Sequence, residues 1–147
     1  ENGQLSERGT YIDGEFDGLF ETFHENGQLS SKENWIDGER DGLEENFGQN
    51  GQLFRRSNYI DGLQDGLFKM FHSNGRLFVR GDYIDGEREG IEEIFWSNGQ
   101  LSYRGNNKDG TVDGPYEYYY ENGQLLGKSC YKKGQKIYLP IKSDLSF

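Results

Sequence analysis

The sequence predicts an all-β protein: an elongated single-sheet antiparallel meander of 24-residue β-hairpin repeats, with right-handed twist and a C-terminal cap. Three observations carry this. Asn-Gly recurs at Asn2, Asn26, Asn50, Asn74, Asn98 and Asn122, always 24 residues apart. Of 147 residues 22 are Gly and none is Ala, a composition that opposes helix throughout. The chain has 10 Phe, 10 Tyr and 2 Trp, more aromatic residues than a disordered segment carries.

Each unit can be justified in order. A Leu opens the first strand (Leu5, Leu29, Leu53, Leu77, Leu101, Leu125). A basic residue follows at Arg8, Lys32, Arg56, Arg80, Arg104 and Lys128, then an aromatic at Tyr11, Trp35, Tyr59, Tyr83 and Tyr131, with Asn107 the exception. Asp-Gly comes next at Asp13, Asp37, Asp61, Asp85 and Asp109, and a second acidic-Gly pair at Asp17, Asp41, Asp65, Glu89 and Asp113. The second strand runs from Leu19, Leu43, Leu67, Ile91 or Pro115 to Phe23, Phe47, Phe71, Phe95 or Tyr119. Short aromatic runs flanked by Asn-Gly and Asp-Gly are hairpin strands, because those residues accept the positive φ of tight turns. The array is expected over residues 1–138 and a cap over 139–147, where Leu139, Ile141, Leu145 and Phe147 break the pattern. The chain opens at Glu1 inside a repeat, as a fragment or processed form would.

The register follows from the loop. A three-residue loop Glu25-Asn26-Gly27 makes Phe23 face Leu29. Continued along the strands, it places Leu19 and Trp35 on one face and pairs Phe20–Lys32, Glu44–Arg56, Phe68–Arg80, Glu92–Arg104 and Tyr116–Lys128 on the other. The recurrent cations are then lattice pairs and not a nucleic-acid stripe.

Charge and motifs narrow the function. A formal charge of −10 repels nucleic acid and anionic lipid and favours a basic partner. Cys130 is the only cysteine, so no internal disulfide forms. There is no catalytic triad, phosphate-binding loop or zinc spacing, and no enzyme or cofactor is expected. Asp13, Glu15 and Asp17 resemble oxygen ligands for Ca²⁺, but Asp-Gly turn chemistry accounts for them. His24 and His72 sit four strands apart, roughly 19 Å, too far to share a metal. Glu21, Glu45, Glu93 and Glu117, interrupted by Lys69, are read as a ladder on the Leu/Phe face, repeated too regularly for an acid–base site.

The Y-x-D-G-x-x-D-G-L-x-x-x-F core with its repeated N-G-Q-L turn resembles the MORN-repeat variant family, over roughly residues 1–138. The resemblance implies a hairpin array with no catalytic residues. Its YwqK-like members, described as antitoxin components, imply an acidic antitoxin or immunity-like protein that masks a basic toxin. The family's link to membranes is opposed by the negative charge.

Recurring positions build a lattice, so varying ones are the candidates for reading a partner. The predicted partner-binding residues are Phe54, Phe68, Met70, Phe78, Ile94, Trp96, Tyr116, Tyr118 and Tyr120, on the face opposite the Leu/Phe stripe. Three arrangements stay open for that face: a protein partner covers it, the chain's own C-terminus covers it, or the sheet curls and makes it the core. A structural spacer or homo-oligomeric scaffold is the alternative function.

Overall fold

The computed structural model describes residues 5–138; the predicted cap over 139–147 lies outside them. The chain forms β1 (Glu7–Ile12), β2 (Glu15–Phe23), β3 (Leu29–Ile36), β4 (Glu39–Arg40), β5 (Gly42–Phe47), β6 (Leu53–Ile60), β7 (Leu63–Gln64) and β8 (Gly66–Phe71). It continues through β9 (Leu77–Ile84), β10 (Glu87–Phe95), β11 (Leu101–Lys108), β12 (Thr111–Val112), β13 (Gly114–Tyr119), β14 (Leu125–Lys132) and β15 (Gln135–Ile137). All 15 strands lie in one antiparallel meander, and the described residues contain no helix. The short strands β4, β7 and β12 pair with β3, β6 and β11.

Both turn types follow their residues. The Asp-Gly turns are two-residue loops with both residues left-handed, Asp at φ 46 to 51° and Gly at φ 71 to 91°. The last turn uses Lys133 at φ 48° before Gly134. The Asn-Gly turns are three-residue loops: His24 N donates to Gln28 O at 2.8 Å, and Gly27 takes φ 81°. The Asn26 side-chain oxygen accepts from Gln28 N, and Asn50, Asn74, Asn98 and Asn122 repeat that bond.

The sheet shifts register beside every Asn-Gly loop. Phe23 faces Leu29 as expected, but Thr22 then faces Ser31, so one extra residue is accommodated at Ser30. The same step recurs at Phe47, Phe71, Phe95 and Tyr119. Since side chains alternate with period two, a one-residue slip moves every later partner. The expected pairs Phe20–Lys32, Glu44–Arg56, Phe68–Arg80, Glu92–Arg104 and Tyr116–Lys128 therefore do not form. Phe20 faces Glu33, Glu44 faces Ser57, Phe68 faces Gly81, Glu92 faces Gly105 and Tyr116 faces Ser129.

The slip also separates Leu19 from Trp35, because Leu19 pairs with Asn34 and Trp35 with Gly18. Trp35, Tyr59, Tyr83 and Tyr131 join the face of Phe20 and Phe68, which is the more buried one. Tyr59, Phe68, Val79 and Tyr116 form the apolar core. Rings pack edge-on there, as in Phe16–Phe20 (4.6 Å), Phe68–Tyr83 (5.8 Å) and Tyr116–Tyr131 (4.9 Å). On this aromatic face the second-strand positions alternate between repeats: Phe16 and Phe20, Arg40 and Glu44, Gln64 and Phe68, Arg88 and Glu92, Val112 and Tyr116.

Repeats are tied one to the next. Each turn Gly donates to the preceding repeat, from Gly38 N to Phe16 O (3.0 Å) through Gly134 N to Val112 O (2.8 Å). The second-strand line breaks at Asp41, Asp65 and Asp113, where Asn34, Asn58 and Asn106 donate to the carbonyls of Leu43, Asp65 and Asp113. In the fourth repeat Asp82 cannot donate this way, and β10 runs unbroken.

Candidate functional site

The meander puts all Asp-Gly turns along one edge and all Asn-Gly turns along the other. The Asp-Gly edge is acidic, and part of its acid is structural. Asp65, Glu89 and Asp113 accept the turn N–H of Asp85 (3.2 Å), Asp109 (3.0 Å) and Lys133 (3.2 Å) in the next repeat. Among the described residues, no three His, Cys, Asp or Glu side chains converge as metal ligands.

On the Asn-Gly edge, His24 Nε2 contacts Phe47 O and His72 Nε2 contacts Phe95 O, each at 2.8 Å. A carbonyl only accepts, so both rings carry their proton on Nε2. Trp96 Nε1 does the same to Tyr119 O at 3.1 Å. The histidines are therefore inter-repeat clasps, a role their 48-residue separation concealed.

The nine sequence-predicted residues divide by exposure. Phe68 and Tyr116 are buried, which removes them from any open surface. Their large rings pack against Tyr83, Tyr103 and Tyr131 on neighbouring strands of the aromatic face. Met70, Ile94 and Tyr118 are half-buried on that face. Phe54, Phe78 and Tyr120 stand out at the Asn-Gly edge at 43%, 37% and 50% exposure, with Trp96 half-buried between them. Phe78 packs against the His72 ring at 4.8 Å, the two rings tilted by 54°. Trp96, Tyr120 and Leu126 line a hollow of about 530 Å³.

Sequence reasoning missed the polar centre of the aromatic face. Arg40 lies 5.5 Å from the rings of both Trp35 and Tyr59 and bonds Glu33 at 3.1 Å. Burial opposes its charge, but Glu33 and Glu44 hold its pKa above the ordinary value. Burial first, then Glu44, pushes the Tyr59 phenol up. In the C-terminal half, burial and the Tyr116 hydroxyl raise Tyr103. Trp35 Nε1, Glu44 Oε2 and Gln64 Nε2 are buried here without a hydrogen-bond partner among the described residues. The Arg-x-x-x-Glu spacing at Arg40 and Arg88 was the available signal, since it puts both side chains on one strand face.

The opposite face carries a charge ladder. Across eleven strands the facing residues are Arg8, Glu21, Lys32, Glu45, Arg56, Lys69, Arg80, Glu93, Arg104, Glu117 and Lys128. Ion pairs join Arg8 to Glu21, Arg56 to Glu45, Arg80 to Glu93 (2.5 Å) and Lys128 to Glu117 (2.5 Å). The signs alternate except at Lys69, which faces Arg56 on one side and Arg80 on the other. Leu43, Leu67 and Ile91 rise beside the ladder at 38%, 46% and 45% exposure.

A family profile described as MORN repeat variant matches residues 16–37, 40–61, 64–85, 88–109 and 112–133. The five windows start 24 residues apart, in phase with the second strands. No curated protein matches the chain.

Proposed function

The chain belongs to the MORN repeat variant family, and on that footing we propose that it is a non-catalytic array whose Asn-Gly edge binds another protein. The observation that carries this is the row of Phe54, Phe78, Trp96 and Tyr120. Phe54, Phe78 and Tyr120, large rings at varying repeat positions, remain exposed there around the half-buried Trp96, although the same chain buries Phe68 and Tyr116 at other varying positions. Exposed aromatic rows concentrate binding energy, because rings bury much area at little entropic cost.

The charge supports a finer version, an antitoxin or immunity-like protein masking a basic partner. Acid along the Asp-Gly edge sets a long-range negative field, and the net charge of −10 leaves it largely uncompensated. The test is capture of a partner from the native source by the whole chain and by a Phe78→Ser, Tyr120→Ser variant. Capture lost by the variant supports the aromatic edge; capture unchanged removes it and returns the scaffold alternative. For the masking version, association with the captured partner must slow steeply as salt rises. A flat response removes that version.

A further inference from the structure

The ladder face carries a second site, independent of the aromatic edge. Beside the ladder lie four shallow hollows, separated by Leu67, Ile91 and Pro115. The first (about 300 Å³) lies between Leu43 and Leu67 and includes Arg56 and Lys69. The second (about 320 Å³) lies between Leu67 and Ile91 and includes Arg80, Asp82, Glu93 and Arg104. The third (about 260 Å³) lies between Ile91 and Pro115 and includes Glu117. A fourth (about 470 Å³) lies beyond Pro115 and includes Lys128 and Lys136. The first and the fourth have cations and no acid in their lining, but Lys128 is ion-paired to Glu117, so only the first holds a ladder cation without such a partner among the described residues.

Lys69 is the reason. At the position where other repeats place Glu21, Glu45, Glu93 and Glu117, it sets three cations on neighbouring strands. Like charges directly opposed across a sheet are unfavourable. Arg56 and Arg80 each keep a carboxylate partner in Glu45 and Glu93, whereas Lys69 has no ion pair among the described residues. The local excess is therefore one positive charge, bounded by acid on both sides. Such a spot suits a single carboxylate and repels an extended polyanion.

An isolated surface ion pair contributes little, so the carboxylate needs apolar neighbours to hold it. Their spacing is set by the sheet. Equivalent positions in successive repeats lie two strands apart, about 9.6 Å. A polyproline II helix presents the same side every three residues, about 9.3 Å. An extended strand repeats its face at about 6.7 Å, and an α-helix at about 10.5 Å over seven residues, so both match less well.

We propose that the ladder face docks a polyproline II segment of a partner protein, seating one carboxylate between Arg56 and Lys69 and packing apolar side chains against the exposed ridges of Leu67, Ile91 and Pro115 beyond it. The segment reads acid-x-x-apolar-x-x-apolar, in either chain direction. This rests on the protein-binding reading above and narrows the partner; a protein basic overall that carries such a segment satisfies both.

The test pans a phage-displayed heptapeptide library on the whole chain. The selected peptides, made synthetically, are then titrated by fluorescence anisotropy. The expected result is enrichment of that pattern, with affinity falling at least about fivefold on Lys69→Glu and less on Lys69→Gln. Replacing the peptide's acid by its amide should cost a similar factor on the parent chain and clearly less on Lys69→Gln, where only Arg56 remains to meet it. Selection of acid-free peptides, or equal binding by Lys69→Glu, overturns the proposal. So does Lys69-dependent binding to phosphatidylserine vesicles, which assigns the face to a membrane. Lys69-dependent self-association in sedimentation overturns it too, assigning the face to a second copy. The Phe78→Ser, Tyr120→Ser variant should bind the peptides normally, so failure here and failure of the aromatic edge are read separately.

Discussion

Replacing Lys69 by Glu completes the alternation of the ladder and is expected to stabilise the fold. In the native chain Lys69 faces Arg56 on β6 and Arg80 on β9. An opposite-charge cross-strand pair contributes roughly 0.2–1 kcal/mol, and a like-charge pair costs a similar amount. The substitution reverses two such pairs. Both arginines already hold a carboxylate, and their side chains are 47% and 50% exposed, which places each reversal in the lower part of that range. The net gain is about 1 kcal/mol, or about 2–4 °C in Tm for a chain of this size. Thermal unfolding followed by circular dichroism at low salt and at about 1 M NaCl is the assay. At the higher salt the screening length of about 3 Å is shorter than the spacing between strands, so most of the gain should vanish. Lys69→Gln should gain about half as much. A Tm that falls, or a gain of equal size at both salts, would refute the electrostatic account of the ladder.

Three further predictions concern the lattice. A Cβ at Gly105 would sit 2.5 Å from Tyr116 Cε1 and 2.7 Å from Tyr103 Oη, whereas at Gly81, the same repeat position, the nearest atom is Glu92 Cβ at 3.7 Å. Gly105→Ala should therefore cost about 1–3 kcal/mol and Gly81→Ala almost nothing, read as urea midpoints; equal midpoints would sink this packing picture. Tyr116→Phe removes a hydroxyl that donates to Asn106 O (3.2 Å) and Asn107 Oδ1 (3.3 Å), at an expected cost of about 1 kcal/mol in the same assay, with no change counting against it. Hydrogen bonds from Lys128 and then Tyr119 hold the Glu117 carboxyl below its ordinary value near 4.5. A depressed folded pKa means that this stabilisation is present above about pH 4.5 and is lost as pH falls through the lower folded value. Glu117→Gln should flatten part of the acid-side decline in Tm, and an identical acid profile would contradict the assignment.

The repeat, the strands and both turns were legible because they depend on local chemistry. Asp61 and Gly62 specify a left-handed pair whatever surrounds them, and Asn26 satisfies its own loop. The side-chain faces were not, because face assignment counts parity across a loop, and the extra residue at Ser30 has no sequence mark. One uncounted residue moved Lys32 from Phe20 to Glu21 and turned a series of cation–aromatic and cation–acid pairs into a continuous charge ladder. The same slip hid the burial of Phe68 and Tyr116, since an aromatic at a varying position reads alike whether it meets a partner or its own neighbours. The clasping role of His24 and His72 was hidden for a related reason. Their carbonyl partners lie 23 residues along the chain, a contact that only the stacking of turns creates.

The alternation on the aromatic face has a consequence for how such a chain changes length. Turns, clasps and hydrogen bonds between repeats recur every 24 residues, but the rows holding Arg40 and Arg88 alternate with rows holding Phe20, Phe68 and Tyr116, giving a unit cell of 48. Deleting or duplicating one hairpin unit would preserve every backbone bond yet bring two arginine rows, or two ring rows, side by side. Two arginine rows in contact would set guanidinium beside guanidinium with no Phe68 or Tyr116 ring between them. A change of two units leaves each row beside its complement, so the backbone permits growth by ones while the side chains favour growth by twos.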